Sequence, residues 1–232
     1  MQKPQLVNNE IYHVYNRGVE KRKIFLEEAD YLRFIHDIFE FNDSNPAQRF
    51  YMPASQFSEV GLPKIGQREP RKFLVEILAF CIMPNHFHLM LKQKVDDGIA
   101  KFMHKFGTGY ANYFNLKYKR SGTLFQGKYK AIHIQRDAHF IYLPFYIHLN
   151  PLDMATPEWR DGKIDNISKA VEFLESYRWS SYLDYIGKKN FPSVTQREFL
   201  MDFFGGPERY KRAAMKWLKE MDLTEIKSVI LE

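Results

Sequence analysis

The segment over residues 79–91 constrains the fold most, because it is an almost continuous apolar run that only a Pro-Asn pair and two histidines interrupt. A Pro-Asn pair favours a turn, so the sequence predicts a β-hairpin with strands over residues 73–83 and 86–92. Successive side chains of a strand point to opposite faces, so we expect His86 and His88 on one face of the sheet. Two imidazoles side by side are half of a metal site, although histidines in strands more often make ordinary hydrogen bonds.

The segments on either side of this hairpin alternate between strand and helix patterns. The predicted order is strand, helix, two strands, helix and strand, over residues 11–19, from Glu27 onward, 73–83, 86–92, 98–118 and 123–134. This order is the split βαβ pattern of a ferredoxin-like βαββαβ antiparallel sheet, so the fold class is predicted as α+β. A long loop insertion is expected at about residues 42–71, where periodicity is lost among Asn, Ser, Pro and Gly.

A third helix is predicted directly after the fourth strand. It begins at Asp137 and is closed by Asn150-Pro151, and Pro144 inside it is expected to kink it. The remaining sequence shows only helical patches, around residues 167–175, 195–204 and 207–220. The sequence therefore predicts one domain over residues 1–155 and a helical C-terminal extension over residues 156–232.

Composition narrows the choice of partner and compartment. Of the 232 residues, 45% are hydrophobic, which is enough for a folded core, and a formal net charge of +6 accompanies an aromatic share of 16%. Basic and aromatic side chains together favour nucleic acid as the partner. The lone cysteine, Cys81, excludes a disulfide framework and a cysteine zinc site. The sequence shows neither a signal peptide nor a membrane-spanning stretch, so we expect a cytoplasmic protein without a membrane partner.

The third helix carries a tyrosine and an amide that suit the histidine pair. Tyr146 and Asn150 are four residues apart and so share one face of the helix. A metal held by two imidazoles and an amide oxygen can polarise a phosphodiester, and a phenol can attack it. The combination favours phosphoryl transfer. The alternative for Asn150 is a simple helix C-cap before Pro151.

Four motifs in this order resemble the REP-associated tyrosine transposases, which belong to the HUH superfamily of single-tyrosine transposases. They are Met-Pro-Asn-His-Phe-His at residues 83–88, Arg-Ser-Gly-Thr-Leu-Phe-Gln-Gly-Lys-Tyr-Lys at 120–130, Tyr-Ile-His-Leu-Asn-Pro at 146–151 and Trp-Ser-Ser-Tyr at 179–182. The resemblance extends from Tyr12 to about Gly187. A histidine, apolar, histidine triplet alone would be a weak signal, whereas four motifs with matching order and spacing are a specific one.

The resemblance implies a ferredoxin-like catalytic domain that cuts and rejoins single-stranded DNA at palindromic repeats with a divalent ion, Mg²⁺ or Mn²⁺. It implies that His86, His88 and Asn150 hold the metal and that Tyr146 is the nucleophile. Attack by Tyr146 would leave a 5′-phosphotyrosine and a free 3′-hydroxyl. The expected partner is single-stranded or hairpin DNA, and the protein is expected to be a monomer or a homodimer.

Basic and aromatic residues alternate along the predicted fourth strand, as single-stranded DNA requires for its phosphates and bases. With an arginine near the end of the first predicted strand, the candidate DNA-binding residues are Arg17, Arg120, Phe125, Gln126, Lys128, Tyr129 and Lys130. The alternative is a solvated edge strand with one aromatic face in the core. His148 is expected to be structural or exposed, His139 could support Tyr146, and the spacing of His13 does not single it out.

Two other functions fit the same residues. A non-catalytic hairpin DNA-binding protein would need only the basic and aromatic surface. A metal-dependent hydrolytic nuclease would use water as the nucleophile instead of Tyr146.

Overall fold

The computed structural model describes residues 4–45, 70–220 and 223–230. In this part of the chain four strands form one antiparallel sheet with the spatial order β2-β3-β1-β4. The strands are β1 (Ile11–Arg17), β2 (Val75–Met83), β3 (His86–Gln93) and β4 (Lys130–His133). The helices are α1 (Glu28–Glu40), α2 (Gly98–Lys117), α3 (Asp137–Leu149), α4 (Ile167–Ser176), α5 (Tyr182–Tyr185), α6 (Glu198–Phe204) and α7 (Pro207–Lys219). The predicted α+β class with a four-stranded antiparallel sheet and C-terminal helices is confirmed.

Each face of the sheet has its own hydrophobic core. On one face, α1 and α2 pack Phe34 and Phe106 against Phe87 of β3. On the other face, α3 and the segments that follow it, the C-terminal helices included, form a second cluster that contains Leu143 of α3 and Trp159. Because side chains alternate along a strand, β2 and β3 serve both cores, which explains why they read as continuous apolar runs.

The hairpin forms as predicted, and its second strand, β3, is an internal strand of the sheet. β2 and β3 are antiparallel, with Met83 opposite His86 and Cys81 opposite His88. β1 lies on the other side of β3 and places Tyr15 opposite His88. The histidine strand therefore has hydrogen-bonded neighbours on both edges, which fixes the position of its side chains.

The fourth strand is shorter than the sequence predicts. Only Lys130–His133 are extended, instead of residues 123–134. Gly122 and Gly127 adopt positive φ angles of 85° and 70°, which an extended strand does not tolerate, so residues 122–129 form a loop. This loop is held against the end of β1, where the amide of Gln126 donates to the carbonyl of Arg17 (2.8 Å).

The region after α3 completes the second core. Trp179 and Ser181 extend along the edge of β2, since the amide of Ile82 donates to the Trp179 carbonyl (2.9 Å) and that of Ser181 to the Phe80 carbonyl (3.0 Å). The division of the chain at residue 155 stays a prediction. The expected insertion at residues 42–71 lies mostly outside the described residues. No helix in the described ranges is long and apolar enough to cross a membrane.

Candidate active site

The two histidines of β3 point toward α3, as the alternation predicts. His88 is buried and His86 is partly buried, and their ring centroids are 5.0 Å apart with perpendicular planes. Phe87 and Leu89 lie in the opposite core. Burial lowers the pKa of His86 to about 4 and the pKa of His88 well below its ordinary value. Both rings are therefore neutral at pH 7 and can act as metal ligands.

The hydrogen bonds of Asn85 decide which nitrogen of His86 carries the proton. Nδ2 of Asn85 donates to the carbonyl of Lys21 (3.1 Å), so Oδ1 of Asn85 faces the histidine. That oxygen lies 2.7 Å from Nδ1 of His86 and can only accept a hydrogen bond. Nδ1 of His86 is therefore the protonated nitrogen, and Nε2 presents a lone pair.

Asn150 presents a second acceptor to this lone pair. It occupies the C-cap position of α3, and its Nδ2 donates to the carbonyl of Tyr146 (3.3 Å). Its Oδ1 consequently faces Nε2 of His86 at 3.4 Å. Two acceptors at this separation repel each other unless a cation lies near both. Asn150 is thus a C-cap residue by position, and its side-chain oxygen also belongs to the histidine cluster.

His88 contributes a third acceptor. Its Nδ1 lies 2.9 Å from Nε2 of His13, and its own Nε2 is buried with no hydrogen-bond partner among the described residues. When Nδ1 of His88 donates to His13, Nε2 of His88 keeps its lone pair. The spacing within the sequence could not single out His13, because its contact depends on the pairing of β1 with β3.

These three acceptors fit a divalent cation. Across the described ranges no group of three or more His, Cys, Asp or Glu side chains is placed to hold a metal. A metal at this point would have two imidazoles, His86 and His88, and the side-chain oxygen of Asn150 within reach. Two imidazoles are borderline ligands that suit Mn²⁺, whereas Mg²⁺ prefers oxygen and retains water molecules. Phosphate and water oxygens would complete either coordination sphere.

Tyr146 lies beside the same cluster. Its ring is buried and meets that of His88 edge to face, with centroids 5.6 Å apart. Its hydroxyl lies 3.3 Å from Nη1 of Arg160, which follows α3 in the 3₁₀ helix Pro157–Asp161. No layer of protein separates Tyr146 from His88. The sequence does not indicate Arg160 as part of this site, because nothing in its spacing relates it to Tyr146.

Tyr146, His86 and His88 line one cavity of about 840 Å³. Basic side chains from the end of β1 and from the connection to α1 also line it, namely Arg17, Lys21 and Lys23. A cluster of cations next to neutral imidazoles suits a phosphodiester. Lys21 and Lys23 resemble an ordinary solvated charge run in the sequence, and the tertiary structure brings them to the cavity.

The candidate DNA-binding residues divide into separate groups. Arg17 lines the cavity beside Tyr146, the candidate active-site cavity, and its Nε donates to Oε1 of Gln126 within the loop over residues 122–129. Phe125, Lys128 and Tyr129 line a second cavity of about 430 Å³ beside α2. The remaining two residues are Arg120, whose guanidinium lies 5.6 Å from the Phe114 ring centroid, and Lys130, which is exposed at the start of β4.

His148 is structural, as one of the two sequence interpretations expects. It is fully buried, with Nδ1 2.6 Å from the hydroxyl of Tyr210 and Nε2 2.7 Å from Oγ of Ser181. Ser181 in turn bonds to the amide and the carbonyl of Phe80. This network joins α3 to β2 and α7, and it holds the helix that carries Tyr146.

The chain is similar to known proteins in sequence and in fold. Residues 59–150 match the family model described as Transposase IS200 like. A solved structure of a REP-associated tyrosine transposase bound to a REP hairpin has a similar fold, with a TM-score of 0.52 and 13% sequence identity, covering 84% of this chain and 89% of that one. No curated protein matches the chain. The resemblance inferred from the four motifs is confirmed.

Proposed function

Because residues 59–150 carry an IS200-like transposase sequence, we propose that this protein cleaves and rejoins single-stranded DNA at palindromic repeats through a covalent bond to Tyr146. In this proposal the βαββαβ sheet and α3 form a ferredoxin-like catalytic domain. The observation that carries the proposal is the position of the His86 and His88 rings, whose centroids lie 5.0 Å apart, with Oδ1 of Asn150 3.4 Å from Nε2 of His86 and the Tyr146 ring 5.6 Å from the His88 ring.

The reaction we propose is a transesterification. The oxygen of Tyr146 forms a bond to the scissile phosphorus, the bond from phosphorus to the 3′-oxygen breaks, and that oxygen leaves as a 3′-hydroxyl. The phenolic proton is released to solvent, and solvent supplies the proton that the departing 3′-oxygen takes up to become a hydroxyl. A phosphodiester bond to the enzyme replaces the one in DNA, so a 3′-hydroxyl can later reverse the step and join a new strand.

Three protein ligands would hold the metal: His86, His88 and Asn150. When bound there, Mg²⁺ or Mn²⁺ supplies a Lewis acid that polarises the phosphate and offsets its negative charge. Arg17, Lys21 and Lys23 would bind the flanking phosphates at the cavity. The loop residues Phe125, Gln126, Lys128 and Tyr129, with Arg120 and Lys130, are proposed to contact the DNA farther from the cleavage point.

The two alternative functions predict different products. The test is incubation of end-labelled hairpin DNA with Mn²⁺ or Mg²⁺, followed by a denaturing gel. Our proposal expects a protein-linked 5′ product that Tyr146→Phe abolishes while DNA affinity is kept. Cleavage that survives Tyr146→Phe without a linked product indicates a hydrolytic nuclease, and binding without cleavage by the wild type indicates a non-catalytic binder.

The matched control is Tyr142→Phe, one helical turn earlier on α3. Tyr142 is partly buried and stacks on Trp217, with ring centroids 5.9 Å apart. Tyr142 does not line the active-site cavity. Tyr142→Phe should therefore retain the linked product at the wild-type rate.

A further inference from the structure

Arg160 is held rigidly by a carboxylate on the segment that follows α3. Its Nε donates to Oδ1 of Asp153 (2.8 Å) and its Nη2 to Oδ2 (2.7 Å), which is a bidentate pair. Nε1 of Trp159 also donates to Oδ1 of Asp153 (2.6 Å). The carboxylate is therefore fixed in turn, and the plane of the guanidinium has one orientation.

This orientation directs the third nitrogen at the proposed nucleophile. Nη1 of Arg160 lies 3.3 Å from the oxygen of Tyr146, and the centre of the guanidinium lies 5.2 Å from the Tyr146 ring centroid. Arg160 and Asp153 also line the active-site cavity, and both side chains are 28% exposed. The guanidinium can therefore contact Tyr146 and a substrate phosphate together.

We propose that Arg160 is a catalytic residue of strand cleavage, which stabilises the negative charge on the Tyr146 oxygen and on the phosphate in the transition state, and that Asp153 positions it. The inference rests on the proposed function of Tyr146. As the phenolic oxygen loses its proton and bonds to phosphorus, Nη1 donates a hydrogen bond to the oxygen that carries the charge. Arginine keeps its own proton throughout, so no atom or electron is transferred to or from Arg160.

The arrangement of the pair favours this role over a simple surface ion pair. A surface pair contributes little to stability and needs no third contact. Here two of the three guanidinium nitrogens bind the carboxylate and the third one contacts the reacting oxygen. Because the donor is already oriented in the free protein, its alignment costs nothing further at the moment of reaction.

The test measures the rate of the protein-linked product in a single turnover at saturating hairpin DNA. Arg160→Gln should lower this rate about 100-fold, the effect typical of losing one preorganised transition-state donor. The dissociation constant for DNA, measured with Tyr146→Phe in the background, should change less than threefold. Asp153→Asn should give a smaller loss, since Arg160 keeps its charge but loses its fixed orientation.

Two further variants separate a catalytic role from a structural one. Arg160→Lys keeps the charge and should cleave at an intermediate rate, because an ammonium cannot bind Asp153 in a bidentate way and also contact Tyr146. Addition of free guanidinium ion, at a concentration that does not unfold the protein, should restore part of the rate of Arg160→Gly. A residue that only stabilised the fold would show neither partial retention nor rescue.

The control is Arg178→Gln, which removes a comparable arginine from an exposed pair. Nη1 of Arg178 donates to Oε1 of Glu28 (2.9 Å), and the two side chains are 47% and 61% exposed. This variant should cleave at the wild-type rate. If Arg160→Gln cleaves at a rate within twofold of the wild-type rate, the inference about Arg160 is overturned and the proposed function still stands. A wild type that forms no linked product overturns the proposed function, and the inference with it.

Discussion

Nε2 of His13 lies 2.9 Å from Nδ1 of His88, and both imidazoles are fully buried. The contact joins β1 to the neighbouring central strand. It accounts for the orientation of His88, whose Nε2 is left without a partner among the described residues. The ring of His86 is oriented in the same way, because Asn85 accepts a hydrogen bond from Nδ1 of His86. A neighbouring side chain therefore orients each of the two imidazoles that we propose as metal ligands.

We expect His13→Phe to weaken Mn²⁺ binding about 10-fold to 100-fold, as the loss of a group that orients a metal ligand commonly does. Free Mn²⁺ can be measured by electron paramagnetic resonance during a titration of the protein. His13→Gln restores an acceptor and should recover part of the affinity. The control is His36→Phe, since His36 is 58% exposed on α1. Wild-type affinity in folded His13→Phe would contradict the prediction.

Substitutions at Asn150 separate its two possible roles. Asn150→Leu removes the oxygen that faces His86 and should lower the affinity for Mn²⁺ by about tenfold or more. Asn150→Asp keeps an oxygen there and adds a charge, so its affinity should equal or exceed that of the wild type. The same titration checks both variants. If Asn150 is only a C-cap, both variants change the melting temperature and neither changes the affinity.

Acid pH should lower the free energy of unfolding through Asp30, which lies in α1 on the side of the sheet that α1 and α2 cover. Burial alone would raise the pKa of Asp30, but hydrogen bonds from Lys117, the Leu26 amide, Tyr118 and Tyr113 outweigh burial and hold the pKa below its ordinary value. The resulting stabilisation is present above pH about 4, the pKa of an unfolded aspartate, and is lost as the pH falls through the lower folded pKa.

Asp30→Asn should therefore lower the free energy of unfolding by about 2 kcal/mol at neutral pH, as expected when hydrogen bonds to a charged group are lost. The difference from the wild type should shrink as the pH falls below about 4. Urea denaturation over this pH range measures it. Asp202→Asn is the control because Asp202 is exposed on α6. A difference that stays constant down to pH about 2 would show that the carboxylate charge plays no part.

The salt dependence of DNA binding tests the candidate phosphate contacts. For single strands, each phosphate contact that is lost should reduce the slope of log affinity against log salt by about 0.7. Arg17→Gln, Lys128→Gln and Lys130→Gln should each show this reduction, and Lys21→Gln should do so at the cavity. Fluorescence anisotropy at several salt concentrations measures the slope. Lys188→Gln, which removes a lysine paired with Glu175, should leave the slope unchanged.

Local patterns in the sequence predicted much of the candidate site. Alternation along β3 placed His86 and His88 on one face, and the Pro-Asn pair placed the turn before them. Helical spacing placed Tyr146 and Asn150 on one side of α3. These predictions are correct because each depends on the geometry of a single element. Metal binding by His86, His88 and Asn150 stays a prediction, and so does DNA cleavage by Tyr146.

The fourth strand shows where local patterns mislead. β-Branched and aromatic residues over residues 123–134 favour a strand, yet Gly127 takes a positive φ and only Lys130–His133 pair with β1. The length of a strand depends on the neighbour that it pairs with. Phe125 and Tyr129 consequently lie on a loop and line a cavity beside α2.

The sequence alone determined the first three strands and the three helices that pack on the sheet, the faces of β3 and α3, and the family resemblance, because these depend on periodicity and on motifs within short segments. Only the tertiary structure decided that His13 supports His88, that Asp153 directs Arg160 at Tyr146 and that Lys21 and Lys23 reach the cavity. Such contacts depend on strand register and on the packing of α3 against the sheet, which bring together residues that no spacing along the chain relates.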